Sequence, residues 1–323
     1  MTGMRTIALE EHFWTPELAG QTGTGALAMF GAGLGNQLED LGELRLADMD
    51  ANGIDFQVIS HVAPAAQGLE GAAGVARSRE ANDRLAEAVK AHPDRFAGFA
   101  TLPTADPRAA ADELDRATSE LGLIGALVNS TLGSNGVFLD DARFAPLLDR
   151  FERLDVPLYL HPAPPSAALH EALYSGLPPA VAGRLATGAW GWHVETGNHI
   201  LRIILSGAFD RFPELQFIIG HMGEILPFML PRLDATLSTE VTKLRHAPSY
   251  YLRENVHYTF AGFNWTPQFL TLLLEVGVDR IMFSTDHPYA SMSEATAFLD
   301  GIPVSPHDRE RIAHGNAEEL LRL

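Results

Sequence analysis

The sequence predicts an α/β protein built as a closed (β/α)8 TIM barrel, on three observations. Eight short runs rich in apolar and β-branched residues alternate with longer stretches of helical periodicity. The chain has 323 residues, a length that eight such units fill as one barrel domain spanning 1–323. No glycine-rich phosphate loop follows the first run, which counts against a dinucleotide-binding sheet. An open α/β sheet with extra helices is the alternative architecture.

In chain order the predicted strands are TIALEEH (6–12), FQVISH (56–61), FAGFATLP (96–103), LIGALVN (123–129), PLYLHP (157–162), QFIIGH (216–221), VHYTFAG (256–262) and RIMFSTDHP (280–288). Helical patterns fall at 44–53, 73–93, 107–122, 142–155, a long segment near 179–208, 223–243 and 266–277, with two more helices at the end. No Pro/Ser-rich linker or low-complexity block divides the chain. The glycine-rich stretch GQTGTGALAMFGAGLGNQ (20–37) is long for a loop, and reads equally well as a lid over the barrel mouth or a surface insertion.

Hydrophobic residues make up 46% and charged residues 20%, as in packed globular proteins. Asp and Glu number 41 against 23 Lys and Arg, a net charge of -18 that repels nucleic acid and anionic lipid. An anionic substrate would therefore need a local cation. The absence of cysteine excludes disulfides, thiolate nucleophiles, iron–sulfur clusters and cysteine zinc sites. The start MTGMRTIALEEH has no apolar signal-peptide core and no apolar run reaches membrane-spanning length, so a cytoplasmic protein is expected.

The ionisable residues are the informative ones. The first strand runs from Ile7-Ala8-Leu9 straight into Glu10, Glu11 and His12. Strict alternation puts Ala8, Glu10 and His12 on one face and Glu11 on the other. The fifth strand ends in His161, the sixth in His221 with Glu224 three residues on, and the eighth in Asp286. In a barrel these C-terminal ends converge on one mouth, where active sites lie. Glu10, His12, His161 and Asp286 form a ligand set suited to Zn2+, Mn2+ or Fe2+, and a divalent cation keeps a buried carboxylate ionised. Singly, each has an ordinary account: a satisfied histidine, a turn before Pro162, a helix N-cap. Jointly, at one end of three strands, they favour a metal site. His61 is placed to line the mouth, and Glu195 and His199 stand four apart as a helical pair beside His193. His257 falls at the wrong end of its strand for chemistry, and His92, His170, His246, His307 and His314 fall in loops or helix ends.

The segments ALEEHF (8–13), RFAGFATLPTADP (95–107), LGLIGALVN (121–129), LDVPLYLHP (154–162), SGAFDRFPELQFIIGHMGE (206–224) and DRIMFSTDHP (279–288) resemble the metal-dependent decarboxylase branch of the amidohydrolase superfamily, nearest its hydroxybenzoate decarboxylases such as γ-resorcylate decarboxylase. The resemblance spans nearly the whole chain. It implies a distorted barrel, one zinc or manganese ion per subunit on Glu10, His12, His161 and Asp286, a His221–Glu224 pair, an aromatic carboxylate substrate and a homo-oligomer, a dimer or tetramer. The implied chemistry is loss of CO2 from a hydroxybenzoate, with Asp286 protonating the ring carbon and His221, oriented by Glu224, stabilising or deprotonating the phenol. The rival is hydrolysis of a lactone, ester or amide on the same scaffold. His287, PYASMSEA after it and the 20–37 stretch depart from the family pattern and bear on the substrate. His287 and Phe13 are the expected substrate contacts, Phe13 by stacking on an aromatic ring.

Overall fold

The computed structural model describes residues 3–20, 33–130, 132 and 137–323. Among these, eight parallel strands stand side by side in chain order: β1 (Ile7–Phe13), β2 (Phe56–His61), β3 (Phe96–Thr101), β4 (Ala126–Asn129), β5 (Leu158–His161), β6 (Phe217–Ile219), β7 (Val256–Thr259) and β8 (Ile281–Met282). A parallel bridge between Leu9 and Ser284 joins β8 back to β1, with the Leu9 N–H donating to the Phe283 carbonyl at 3.2 Å. The ring closes as a (β/α)8 barrel rather than an open sheet. Residues 21–32 of the glycine-rich stretch lie outside the described residues, and its end begins a short helix, Gly33–Glu39.

Two concentric apolar layers hold the ring. Ile7, Leu9, Phe56, Val58, Phe99, Leu127, Ile218 and Met282 fill the interior, closed at the strands' N-terminal end by Ala317 and Leu321 of the terminal helix Asn316–Leu321. Ala8, Phe13, Ile59, Ala100, Val128 and Leu160 face outward into the layer shared with helix residues such as Met49, Leu85, Leu114 and Phe151. The inward and outward sets follow the period of two of a strand buried on both faces.

β1 breaks that period. Ala8 pairs with Gln57 but Glu11 pairs with Ile59, so three residues of β1 pass two of β2, and Glu10 takes a left-handed φ of 63°. This β-bulge reverses the alternation. Ala8 therefore faces the helices, not the side of Glu10 and His12 as strict alternation required.

Each expected strand is present, although several are shorter. The eighth, expected over 280–288, is a continuous strand only at Ile281–Met282, with the isolated bridge at Ser284 beyond it, because the chain leaves the ladder on its way to Asp286, itself at φ 65°. The helical segment near 179–208 divides into Pro179–Ala186, Gly191–Leu205 and Ala208–Arg211. That expected over 223–243 starts only at Leu226. No helix among the described residues is long and apolar enough to cross a membrane.

His199, fully buried in the helix Gly191–Leu205, does not pair with Glu195. Its Nδ1–H donates to the Ser130 carbonyl at 2.6 Å and its Nε2 accepts from the Leu139 N–H at 2.8 Å. That neutral ring is fully used, and burial, above all, lowers its pKa to about 4. The unfolded ring binds its proton near the ordinary value of 6.5, so this contribution is complete above pH 6.5 and is lost as the pH falls toward 4. His199→Gln removes it. The variant's unfolding free energy, from urea melts between pH 6.5 and 4, should fall less steeply than that of the unaltered chain, by up to about 1.4 kcal/mol per pH unit. Parallel curves would contradict the assignment.

Candidate active site

At the C-terminal end of the ring, Glu10, His12 and His161 each bring one ligand atom to within 4.8 Å of the others. Glu10 Oε1 lies 3.3 Å from His161 Nε2, and His12 Nε2 lies 3.3 Å from Asp286 Oδ1. The remaining groups are anchored. Glu10 Oε2 accepts from the Tyr159 hydroxyl and, at 3.3 Å, from Thr259 Oγ1. His161 Nδ1–H donates to Asn129 Oδ1 at 3.0 Å, and Gln67 Oε1 accepts from the Asn129 side-chain amide at 3.0 Å. This fixes the tautomer that turns the Nε2 lone pair toward Glu10. Glu10 Oε1 and His12 Nε2 are buried and have no hydrogen-bond partner.

Electrostatics sharpen the point. Burial, before any other influence, raises Glu10 to about 8 and Asp286 to about 7. Burial likewise lowers His12 to about 3, with Arg45 and then His221 adding to it, and His161 well below its ordinary value, with His12 and His221 adding to it. Neutral imidazole lone pairs and buried carboxyl oxygens thus surround one point where only a cation satisfies them all. A divalent ion fits this donor set, which is hard to borderline in character.

Glu10, His221, Glu224 and Asp286 all have left-handed backbone, at φ 63°, 52°, 52° and 65°. His221 through Ile225 forms a continuous left-handed turn after β6. Non-glycine residues there cost about 1–2 kcal/mol each, and such strain concentrates at functional sites. The turn brings His221 and Glu224 to the same side. Glu224 Oε1 lies 2.7 Å from His221 Nδ1, and its Oε2 lies 2.6 Å from His193 Nδ1. Burial works against a charge on His221, but Glu224, Glu10 and Asp286 outweigh it and raise the ring to about 10. Burial would also raise Glu224, yet His221 and His193 bring it below its ordinary value. His221 Nε2 lies 3.9 Å from Glu10 Oε1, so the two clusters are contiguous.

The structure thus brings together Glu10, His12, His161, His221, Glu224 and Asp286. Phe13 is elsewhere: the bulge turns it into the outer layer, 1% exposed and edge-on to His61 at 5.1 Å, a position that does not face the ligand cluster. His61 faces outward too, accepting from the Thr15 N–H at 3.1 Å, and does not line the mouth. His287 is buried, and its carbonyl accepts from the His12 N–H at 2.7 Å. Sequence reasoning gave His193 no role, and its helix, which also carries Glu195, Thr196, Asn198, His199 and Arg202, offers no local signal that singles it out. Sequence reasoning also missed the aromatic walls. Phe263 lies 5.4 Å from His221 and 5.2 Å from His193, and Tyr289 lies 5.7 Å from His12.

Barrel and site together define the class. Residues 11–323 match the amidohydrolase family model, and the chain belongs to that family. It is 37% identical over 327 residues to the γ-resorcylate decarboxylase of Rhizobium sp. (strain MTP-10005), covering 98% of each chain. A 2,6-dihydroxybenzoate decarboxylase solved in complex with 2,6-dihydroxybenzoate superposes with a TM-score of 0.93 at 35% identity, covering 99% of this chain and 100% of that one. The dihydroxybenzoic acid decarboxylase of Polaromonas sp. JS666, solved with bound manganese and the inhibitor 2-nitroresorcinol, gives 0.92 at 35% identity, with 99% and 98% covered.

Gly220 tests the packing of the site. A Cβ there would stand 2.5 Å from Glu10 Oε2 and 3.0 Å from Oε1. Gly220→Ala should displace the carboxylate and weaken divalent-metal binding about 10-fold or more in chelator competition, with the circular dichroism unchanged. Unaltered affinity would show that Glu10 does not need this position.

Proposed function

We propose that the protein is a metal-dependent, non-oxidative decarboxylase of a hydroxybenzoate-type aromatic carboxylic acid, with one divalent ion, Mn2+ or Zn2+, per subunit. The observation that carries the reading is the buried Glu10–His12–His161 cluster with Asp286 beside it and two ligand atoms unpartnered. Support comes from decarboxylases that match this chain over almost its whole length.

Glu10, His12, His161 and Asp286 would hold the ion. When bound, it supplies a Lewis acid that attracts and orients the substrate's carboxylate and ortho oxygen inside an acidic protein. Asp286, its Oδ1 3.3 Å from His12 Nε2 at the edge of the cluster, is the carboxyl placed to carry a proton to the substrate. It delivers that proton to the ring carbon bearing the carboxylate. The carbon–carbon bond then breaks, its electron pair returns to the ring, CO2 departs, and Asp286 regains a proton from solvent. His221, oriented by Glu224 Oε1 at 2.7 Å from its Nδ1, would stabilise or deprotonate the substrate's phenolic oxygen through its other ring nitrogen. His193 anchors the far oxygen of Glu224. Phe263 and Tyr289 offer aromatic walls beside the imidazoles. Hydrolysis of a lactone, ester or amide has no comparable support.

We propose further a cytoplasmic homo-oligomer, a dimer or tetramer. Phe228 is 75% and Leu274 84% exposed on the packed helices Leu226–Thr236 and Thr266–Val276, an apolar surface that a second copy would cover. Light scattering on the purified chain tests this, and a monomer would refute it.

Asp286→Asn should retain bound metal by elemental analysis while CO2 release from a panel of salicylates and dihydroxybenzoates falls by about 10²–10⁴-fold. Activity near that of the unaltered enzyme would refute the acid role. Chelation should abolish turnover and added Mn2+ restore it. Ring-opened acid from lactones, with no CO2 from the benzoates, would instead establish hydrolysis.

A further inference from the structure

Glu11 is fully buried and takes no ligand position. The bulge in β1 turns it out of the barrel interior, where it meets the chain that follows β8. Its Oε1 accepts from the Thr285 N–H at 2.8 Å, and its Oε2 accepts from Thr285 Oγ1 at 2.6 Å and from Gln57 Nε2 at 3.3 Å. The other end of Gln57 is held in turn: its Oε1 accepts from Arg45 Nη1 at 3.2 Å. Arg45, only 1% exposed, donates from Nη2 to the His12 carbonyl at 2.5 Å and from Nε to the Asp40 carbonyl at 3.0 Å.

The network therefore begins at His12, passes through Arg45, Gln57 and Glu11, and ends on Thr285. Both ends touch the ligand-bearing backbone. His12 is a ligand residue itself, Glu11 follows Glu10, and Thr285 precedes Asp286. β8 itself ends at Met282, and beyond it the backbone ties to β1 are the Leu9–Ser284 bridge and the bond from the His12 N–H to the His287 carbonyl, so side-chain contacts at Thr285 add to few backbone ones beside Asp286. Glu10 and Asp286 both occupy left-handed backbone, which persists only where surrounding contacts over-determine it.

We propose that Glu11, Gln57 and Arg45 are positioning residues: a buried brace that clamps β1 to the chain after β8 and so fixes the separation of Glu10 and His12 from Asp286 needed to grip a divalent ion. The inference rests on the metal-dependent reading above. A second buried carboxylate provides the contrast. Glu113 is 1% exposed and accepts from Asn82 at 2.8 Å and from Arg79 and Arg116, but it ties the helices Gly71–Ala91 and Pro107–Ser119 together and touches none of the ligands.

The test measures Mn2+ affinity by chelator competition for the unaltered enzyme, Glu11→Gln, Thr285→Val, Thr285→Ser and Glu113→Gln, with circular dichroism and thermal melting as folding controls. Thr285→Val keeps the side-chain shape and deletes only the hydroxyl donor, so it carries the test if Glu11→Gln does not fold. Glu11→Gln and Thr285→Val should raise the Mn2+ dissociation constant about 10–100-fold, the range in which partners of metal ligands act. Thr285→Ser should restore the affinity, and Glu113→Gln should leave it unchanged even where its melting temperature falls. With Mn2+ saturating, kcat of Thr285→Val should return toward that of the unaltered enzyme. Folded Glu11→Gln and Thr285→Val variants that bind Mn2+ as tightly as the unaltered chain would overturn the proposal. So would a Glu113→Gln variant that weakens binding as much. An unaltered enzyme that binds no Mn2+ would instead remove the metal reading itself, and the brace with it.

Discussion

The carboxylate of Glu10 is buried where solvent cannot reach it, and much of the local structure follows from that placement. One oxygen is satisfied by Tyr159 and Thr259; the other has no partner and faces His161 and His221. An uncompensated buried charge is expensive, and a carboxyl in such a place turns neutral unless a cation is near. The bulge that aims Glu10 inward, the missing side chain at Gly220 and the tautomer imposed on His161 by Asn129 all serve one arrangement. In it, several lone pairs share a centre that a divalent ion satisfies better than any protein donor.

Holding this arrangement has an energetic consequence. Four residues of the site sit in left-handed backbone, and at about 1–2 kcal/mol each they oppose folding by an amount comparable to the net stability of many domains. The double apolar layer of the barrel offsets that strain. Phe99, Tyr159, Ile218 and Met282 pack the interior below the site, while the helices cover the outward face of every strand. A rigid scaffold of this kind also explains why the reacting groups reside where strands end: the ladder carries each side chain to the mouth and then releases the backbone to adopt the strained conformations the site needs.

The sign of the site runs against the sign of the protein. A chain of net charge -18 gathers at its mouth His221, whose charged form Glu224, Glu10 and Asp286 favour, and a donor set suited to a metal ion, both of which attract an anion. Glu224 supports this by sitting between His221 and His193, its own charge held by both. The aromatic faces of Phe263 and Tyr289 beside the imidazoles complete a surface suited to a flat, charged ligand.

The eight strands and the ionisable residues that gather at their ends were legible in the sequence because the signals are local. An apolar run that stops at Glu10 and His12, at His161 or near Asp286 declares itself without reference to the rest of the chain. Phe13 shows the limit. It directly follows His12 of the buried cluster, and strict alternation turns it from His12, but stacking on a substrate was a reading that only its outer-layer packing could decide. Ala8 shows the same limit in reverse, since one extra residue opposite β2 reversed its face. His193 could not be chosen from its own helix, because its partner Glu224 is 31 residues away, brought within reach by a left-handed turn. The sequence by itself determined which residue types end which strands, for hydrophobic periodicity and the penalty for burying charge act over a few residues. The tertiary structure alone decided which way each side chain faces and which distant groups meet, because register, bulge and barrel closure are set by pairing between segments far apart in the chain.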